Sequence, residues 1–135
     1  MEKCTVEIEA WQIQCCGEPF KIGDTIKWLV AKWGETMLSY PEAGIMDYYY
    51  EHHSSEHEKL FLITGVVMGI NSMYCRFIPV PDNSKRLIRA SGYTKPVAEA
   101  IIWEKKIKSH RFDGYIVRFD DAKIHPAQKK DVAYS

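Results

Sequence analysis

The feature that most constrains this chain is an alternation of period two. From Cys4 to Ala10, the residues Cys4, Val6, Ile8 and Ala10 face one way and Thr5, Glu7 and Glu9 the other. That pattern is a strand with one face buried and one in water. After Ala10 the phase flips: Trp11 and Ile13 are apolar, Gln12 and Gln14 polar. One extra residue in a continuing strand, a β-bulge, produces such a flip, so strand is expected as far as Ile13. Cys15-Cys16-Gly17-Glu18-Pro19 then reads as a turn.

The same period recurs along the chain. Gly23-Asp24 precedes Thr25 to Trp33, in which Ile26, Trp28 and Val30 alternate; glycine supplies unusual backbone angles there and the aspartate side chain closes the turn. Residues 34–47 read as loop and Asp47 to Lys59 as loop with a helical turn. Lys59 to Ile70 is the strongest strand, and Asn71-Ser72 reads as a two-residue hairpin turn into Met73 to Val80. Arg86 to Ala90 is a short strand. Thr94 before Pro96 reads as the cap of an amphipathic helix running to Ile107, with strand as its rival, and Gly114 to Phe119 as a last strand.

The chain of 135 residues fits one domain, expected over 1–124 with a polar tail over 125–135. Short strands separated by turns predict a mainly β fold: a small antiparallel barrel of the SH3 or OB kind with at most one or two short helices. Val6, Ile8, Trp28, Phe61, Ile63, Val67, Tyr115 and Val117 are its expected core. Met1 to Glu7 turns charged at once, with no apolar leader stretch, and no apolar run approaches the roughly 20 residues that span a bilayer. A cytoplasmic location with reduced thiols is the expectation.

Lysine plus arginine equals aspartate plus glutamate at 18 each. Residues 1–70 nevertheless hold 5 basic and 11 acidic side chains, against 13 and 7 over residues 71–135. Either the halves interleave and their fields cancel, or one face is basic.

The run Trp11-Gln12-Ile13-Gln14-Cys15-Cys16-Gly17-Glu18-Pro19-Phe20, followed by Gly23-Asp24-Thr25-Ile26-Lys27-Trp28, resembles the opening of a family of small uncharacterised bacterial proteins. That family carries the pattern W-Q-x-x-C-C-G-x-P-F-x-x-G-D-x-V-x-W. Glu51-His52-His53 and Thr64 to Ile70 are similar to later stretches of it. The resemblance implies a bacterial cytoplasmic protein and no particular activity.

Three groups of residues invite chemistry. Cys15 and Cys16 are adjacent, a spacing that suits neither mutual pairing nor joint zinc ligation. They read first as small fillers at a turn, and otherwise as a metal ligand or reactive thiol. His52, His53 and His57 lie in an acidic segment with Glu51, Glu56 and Glu58. A solvated loop is the plain reading, and a zinc site with Cys15 or Cys16 the sharper one. Lys105, Lys106, Lys108 and Arg111, with Arg86, Arg89 and Lys95, lie among Tyr93, Trp103 and Phe112. Positive charge beside rings is what single-stranded nucleic acid needs, but a solvated face is the preferred reading. The expected function is non-enzymatic binding of a small ligand or protein, with Trp11, Gln12, Tyr49 and Glu51 as binding residues. The rivals are a metal-dependent enzyme or structural zinc site, and nucleic-acid binding.

Overall fold

A computed structural model describes residues 2–34, 46–51, 56–82, 85, 87–102 and 110–132. The chain is mainly strand and closes into a five-stranded barrel. Its elements are β1 (Glu2–Glu9), α1 (Ala10–Cys16), β2 (Phe20–Lys21), β3 (Thr25–Lys32), β4 (Tyr48–Tyr50), β5 (Phe61–Val66), β6 (Gly69–Pro79), β7 (Leu87–Val97), β8 (Glu99–Ala100) and β9 (Arg111–Pro126). Single 3-10 turns cover His57–Lys59 and Lys129–Asp131.

The barrel runs β1-β4-β3-β5-β9 and closes by pairing β9 with β1. The expected antiparallel sheet has one exception, since β1 and β4 pair parallel, Val6 opposite Tyr48. Strand β9 carries the architecture. One of its edges meets β1 from Ala122 down to Gly114, and the other meets β5 and then β6. The register against β9 is the same for β5 and the start of β6: Phe61 faces Pro126, Thr64 faces Lys123, Gly69 faces Arg118 and Ile70 faces Val117. They are therefore one long strand bent at Val67–Met68. The bend is held from below, because the Val67 N–H donates to the Asp24 carbonyl at 2.9 Å and the Gly23 N–H donates to the Val67 carbonyl at 2.8 Å.

The alternation of β1 holds for its inward face, while Glu7, expected in water on the other face, is buried. Cys4, Val6 and Ile8 point into the barrel, joined by Val30, Ile63, Val67, Ile70, Tyr115, Val117 and Phe119. Of the eight expected core residues, Trp28 and Phe61 are half-buried and pack against this cluster; the other six are buried. Among the described residues, Gly23 and Gly114 have backbone angles that favour glycine. Gly23 sits at φ +97, so its backbone rather than its surroundings demands glycine. The turn closes as expected, with the Lys21 N–H donating to Asp24 Oδ2 at 3.0 Å. Gly114 sits at φ +141 where β9 crosses β1, and a Cβ there would run into the Ile8 carbonyl.

Several expectations are corrected. Residues 10–16 form a helix, not a bulged strand and turn; Gln12 and Ile13 are both buried and Trp11 is exposed. A short amphipathic helix and a phase-shifted strand share the same apolar spacing over so few residues. Asn71 and Ser72 lie inside β6 rather than in a hairpin turn; Ser72 is fully buried and its hydroxyl donates to the Lys95 carbonyl at 3.2 Å. Thr94 to Val97 belong to β7, not to a helix. Pro96 is accommodated because β7 pairs only with β6 among the described residues, and an edge strand has a side where a missing N–H costs no ladder bond. Glu99–Ala100 form β8, and the end of that expected helix, residues 103–107, lies outside the described residues. The chain beyond residue 124, read as a polar tail, continues β9 to Pro126 and buries Ala127 and Val132 against Leu29, Ala31, Leu60 and Leu62.

Candidate functional site

Strand β3 is eight residues long and β4 only three. β4 covers Val30–Lys32 of β3, so among the described residues no strand pairs with the Thr25–Leu29 stretch on that side. A cleft of about 680 Å³ opens there. One wall is Thr25–Leu29; the other is the chain from Gly17 to Phe20 as it leaves α1. Tyr50 and Leu62 close the space, and Lys130 and Asp131 of the last turn reach its rim.

Backbone polarity in this gap follows from one hydrogen bond. The Leu29 carbonyl accepts from the Glu51 N–H at 3.0 Å, on the β4 side. In a strand, the N–H and C=O of one residue point to the same side and those of its neighbours to the other. Lys27 and Thr25 therefore present both backbone groups to the cleft, and Leu29 presents its N–H. The alternation is confirmed one residue before β3, where the Asp24 carbonyl faces the other way and binds Val67.

Aromatic rings form the inner surface. Trp28 meets Phe20 edge to face at 5.1 Å, Tyr50 at 5.8 Å and Phe119 at 5.8 Å. Burial raises the Tyr50 pKa above the ordinary phenol value, and the Glu18 carboxylate adds to the rise. The Tyr50 hydroxyl thus stays neutral at physiological pH and is a hydrogen-bonding group. The charged groups lining the cleft are Glu18, Asp24 and Asp131 on one side of the balance and Lys27 and Lys130 on the other.

Of the four expected binding residues, Gln12 and Glu51 are in contact, Trp11 and Tyr49 lie near Glu9, and none of the four lines this cleft. Gln12 Nε2 donates to Glu51 Oε1 at 3.4 Å, joining α1 to the chain leaving β4. The exposed Trp11 indole N–H donates to Glu9 Oε2 at 2.7 Å. Tyr49 has its pKa raised by burial first, then by the charges of Glu51 and Glu9. Asp113 stands near the Glu9 carboxylate. Burial, and after it the charge of Glu9, pushes its pKa up to about 6, and the buried Cys75 thiol donates to its Oδ2 at 3.7 Å. Sequence reasoning missed Asp113 and the cleft walls. No residue pattern announces the point at which a strand loses its neighbour.

The expected metal ligands do not assemble among the described residues, where no group of three histidine, cysteine, aspartate or glutamate side chains is placed to hold a metal. Cys15 is in a disulfide, contrary to the expectation of reduced thiols, and a disulfide sulfur offers no thiolate for zinc. Cys4 and Cys75 are free and buried. His57 lies in a 3-10 turn with its Nδ1 3.5 Å from Glu58 Oε2. His52, His53 and the side chain of Cys16 lie outside the described residues.

Two of the rings expected among the basic residues, Tyr93 and Phe112, pack on other rings of the fold. Tyr93 stacks on Tyr74 at 5.2 Å and meets His110 at 5.1 Å; Phe112 lies 4.9 Å from Tyr115. Arg111 covers the Phe77 ring at 4.4 Å. Trp103, Lys105, Lys106 and Lys108 lie outside the described residues, as does Arg86. No helix among the described residues is long and apolar enough to cross a membrane.

A family of unknown function, DUF6578, matches residues 2–121, and the chain belongs to that family. No curated protein and no solved structure matches it.

Proposed function

We propose that this member of DUF6578 is a non-enzymatic binding domain whose ligand, a small molecule or a protein segment, enters the cleft beside Thr25–Leu29. The observation that carries this reading is the cleft itself. Its volume of about 680 Å³ falls within the range of roughly 300–1,000 Å³ typical of ligand sites. It also combines the three kinds of surface such sites use: rings of Phe20, Trp28 and Tyr50, charges at the mouth, and inward backbone groups. Gln12, Glu51 and Tyr49 support it from outside, because the Gln12–Glu51 contact fixes α1, and with it the Gly17–Phe20 wall, to the end of β4.

A fragment library screened by amide NMR on isotope-labelled protein tests the reading. Hits are expected to shift the resonances of Thr25 to Leu29 and Tyr50 together. A hit set that clusters on another surface and leaves those signals in place refutes it.

A further inference from the structure

We infer that the ligand is an extended, lysine- or arginine-bearing peptide of a partner protein, added as a strand on the Thr25–Leu29 edge of β3. This rests on the cleft being the binding site.

The first argument is backbone complementarity. Thr25 and Lys27 each aim an N–H and a C=O into the cleft, and Leu29 adds its N–H, as the bond from Glu51 to the Leu29 carbonyl requires. Donors and acceptors repeating along a line at strand spacing match another strand. A compact small molecule would meet one or two of them, whereas five extended residues, spanning about 17 Å, would meet all. The peptide would occupy the position that a longer β4 would fill, beginning past Glu51, where the pairing ends among the described residues.

The second argument is the chemistry on either side of such a strand. Its side chains would alternate, one set towards Phe20 and Trp28, the other along the outer surface of Lys27, Leu29 and Leu62. The first side carries the half-buried Trp28 ring, so apolar residues suit the peptide there. On the second, Lys27 is exposed while Leu29 and Leu62 are buried with Ala127 and Val132, so polar residues suit it. The third argument is charge. Apart from Lys130 and Asp131, the lining comes from the first 70 residues, which hold 5 basic and 11 acidic side chains. At the cleft itself, Glu18, Asp24 and Asp131 outnumber Lys27 and Lys130. A basic peptide is steered to such a mouth and an acidic one is repelled.

The test uses the whole chain, isotope-labelled, and a synthetic seven-residue peptide of alternating lysine and valine with blocked ends. The peptide is expected to shift the amides of Thr25, Lys27 and Leu29 and to slow hydrogen exchange at those N–H groups. The same peptide methylated on alternate backbone nitrogens is expected to bind at least tenfold more weakly, and a glutamate–valine peptide at least threefold more weakly. Lys27→Pro removes an N–H that faces the cleft and takes no part in the β5 ladder. It should leave melting close to that of the unaltered chain while weakening the peptide tenfold or more, and Lys27→Ala, which keeps the backbone groups and removes a cation from the mouth, should bind the peptide at least as tightly as the unaltered chain. Equal binding of the methylated peptide, or of the unmodified peptide to Lys27→Pro, overturns strand addition. Equal binding of the glutamate peptide overturns the basic preference. If fragments move the cleft resonances and the lysine–valine peptide does not, the inference falls and the cleft remains the site. If neither moves them, both readings fall.

Discussion

Asp113→Asn separates a charge effect from a packing effect in the barrel wall, because the two side chains have nearly the same shape and only one titrates. Asp113 lies on β9, half-buried, with the Cys75 thiol at 3.7 Å and the Glu9 carboxylate adding repulsion. Its pKa is pushed from 3.8 up to about 6, burial being the larger cause. The folded chain therefore holds this proton more tightly than the unfolded chain. The stability that the proton contributes is complete below pH ~4 and is lost as pH rises through about 6. A gap of roughly two pH units corresponds to about 3 kcal/mol. Solvent screening of a half-buried group reduces that to about 1–2 kcal/mol. Asp113→Asn should consequently be more stable than the unaltered chain by about that amount at pH 7.5 and nearly equal to it at pH 4. Urea unfolding of both proteins across this pH range checks the difference, in which the titration of every other group cancels. A stability difference independent of pH would refute the reasoning, since it would mean that Asp113 ionises alike in both states.

Gly114→Ala should lose on the order of 2–4 kcal/mol, from a left-handed backbone and a collision with the Ile8 carbonyl; denaturant midpoints measure it, and a loss below about 1 kcal/mol would show that β1 and β9 can separate there without cost. Trp28→Ala removes three edge-to-face ring contacts, with Phe20, Tyr50 and Phe119, and should cost about 3 kcal/mol in the same assay. Cys4 and Cys75 are buried thiols and should label with a thiol reagent only after unfolding, whereas Cys15 should need prior reduction; mass spectrometry after tryptic digestion assigns each site.

The parts of this fold that the sequence discloses are those decided by local pattern. Cys4 to Glu9 alternate because β1 has one face on the core, and Gly23-Asp24 turns because glycine takes φ +97 there and the Asp24 carboxylate reaches back to the Lys21 N–H. The parts that stay hidden are decided by partners distant in the chain. Over residues 10–16, strand and helix predict the same inward Ile13, and α1 has no side-chain cap at Glu9 to mark its start. Thr94-Lys95-Pro96 carries the local signs of a helix start, yet the exposed ladder of β6 recruits it as strand. Tyr48-Tyr49-Tyr50 reads as strand-like by composition, but nothing in three tyrosines says that, among the described residues, bonding to β3 on this side ends at Leu29. The cleft is the consequence of that stop. Gln12 and Glu51 meet because β1 and β4 run parallel, which puts α1 and the end of β4 at the same end of the barrel.

Glu51 links those observations, and the link is testable. Its backbone N–H ends the β4 pairing on the Leu29 carbonyl, while its side chain accepts from Gln12 on α1. Gln12 is buried to 2% exposure, so Gln12→Ala removes a buried donor and leaves space behind it. The long 3.4 Å contact argues for the lower part of the usual range, and a stability loss of about 1–2 kcal/mol is expected from the lost bond and packing together. Stability alone does not identify the mechanism, because any buried truncation lowers it. Hydrogen exchange of the Glu51 amide does. If the Gln12 contact holds Glu51 against β3, exchange at Glu51 should accelerate in Gln12→Ala by more than the global loss explains, while amides in the paired stretch of β3 with β5 follow the global value. Acceleration at Glu51 no greater than that of the β5-paired amides would show that α1 and the open edge of β3 are independent, and that the length of the cleft is set by β4 alone.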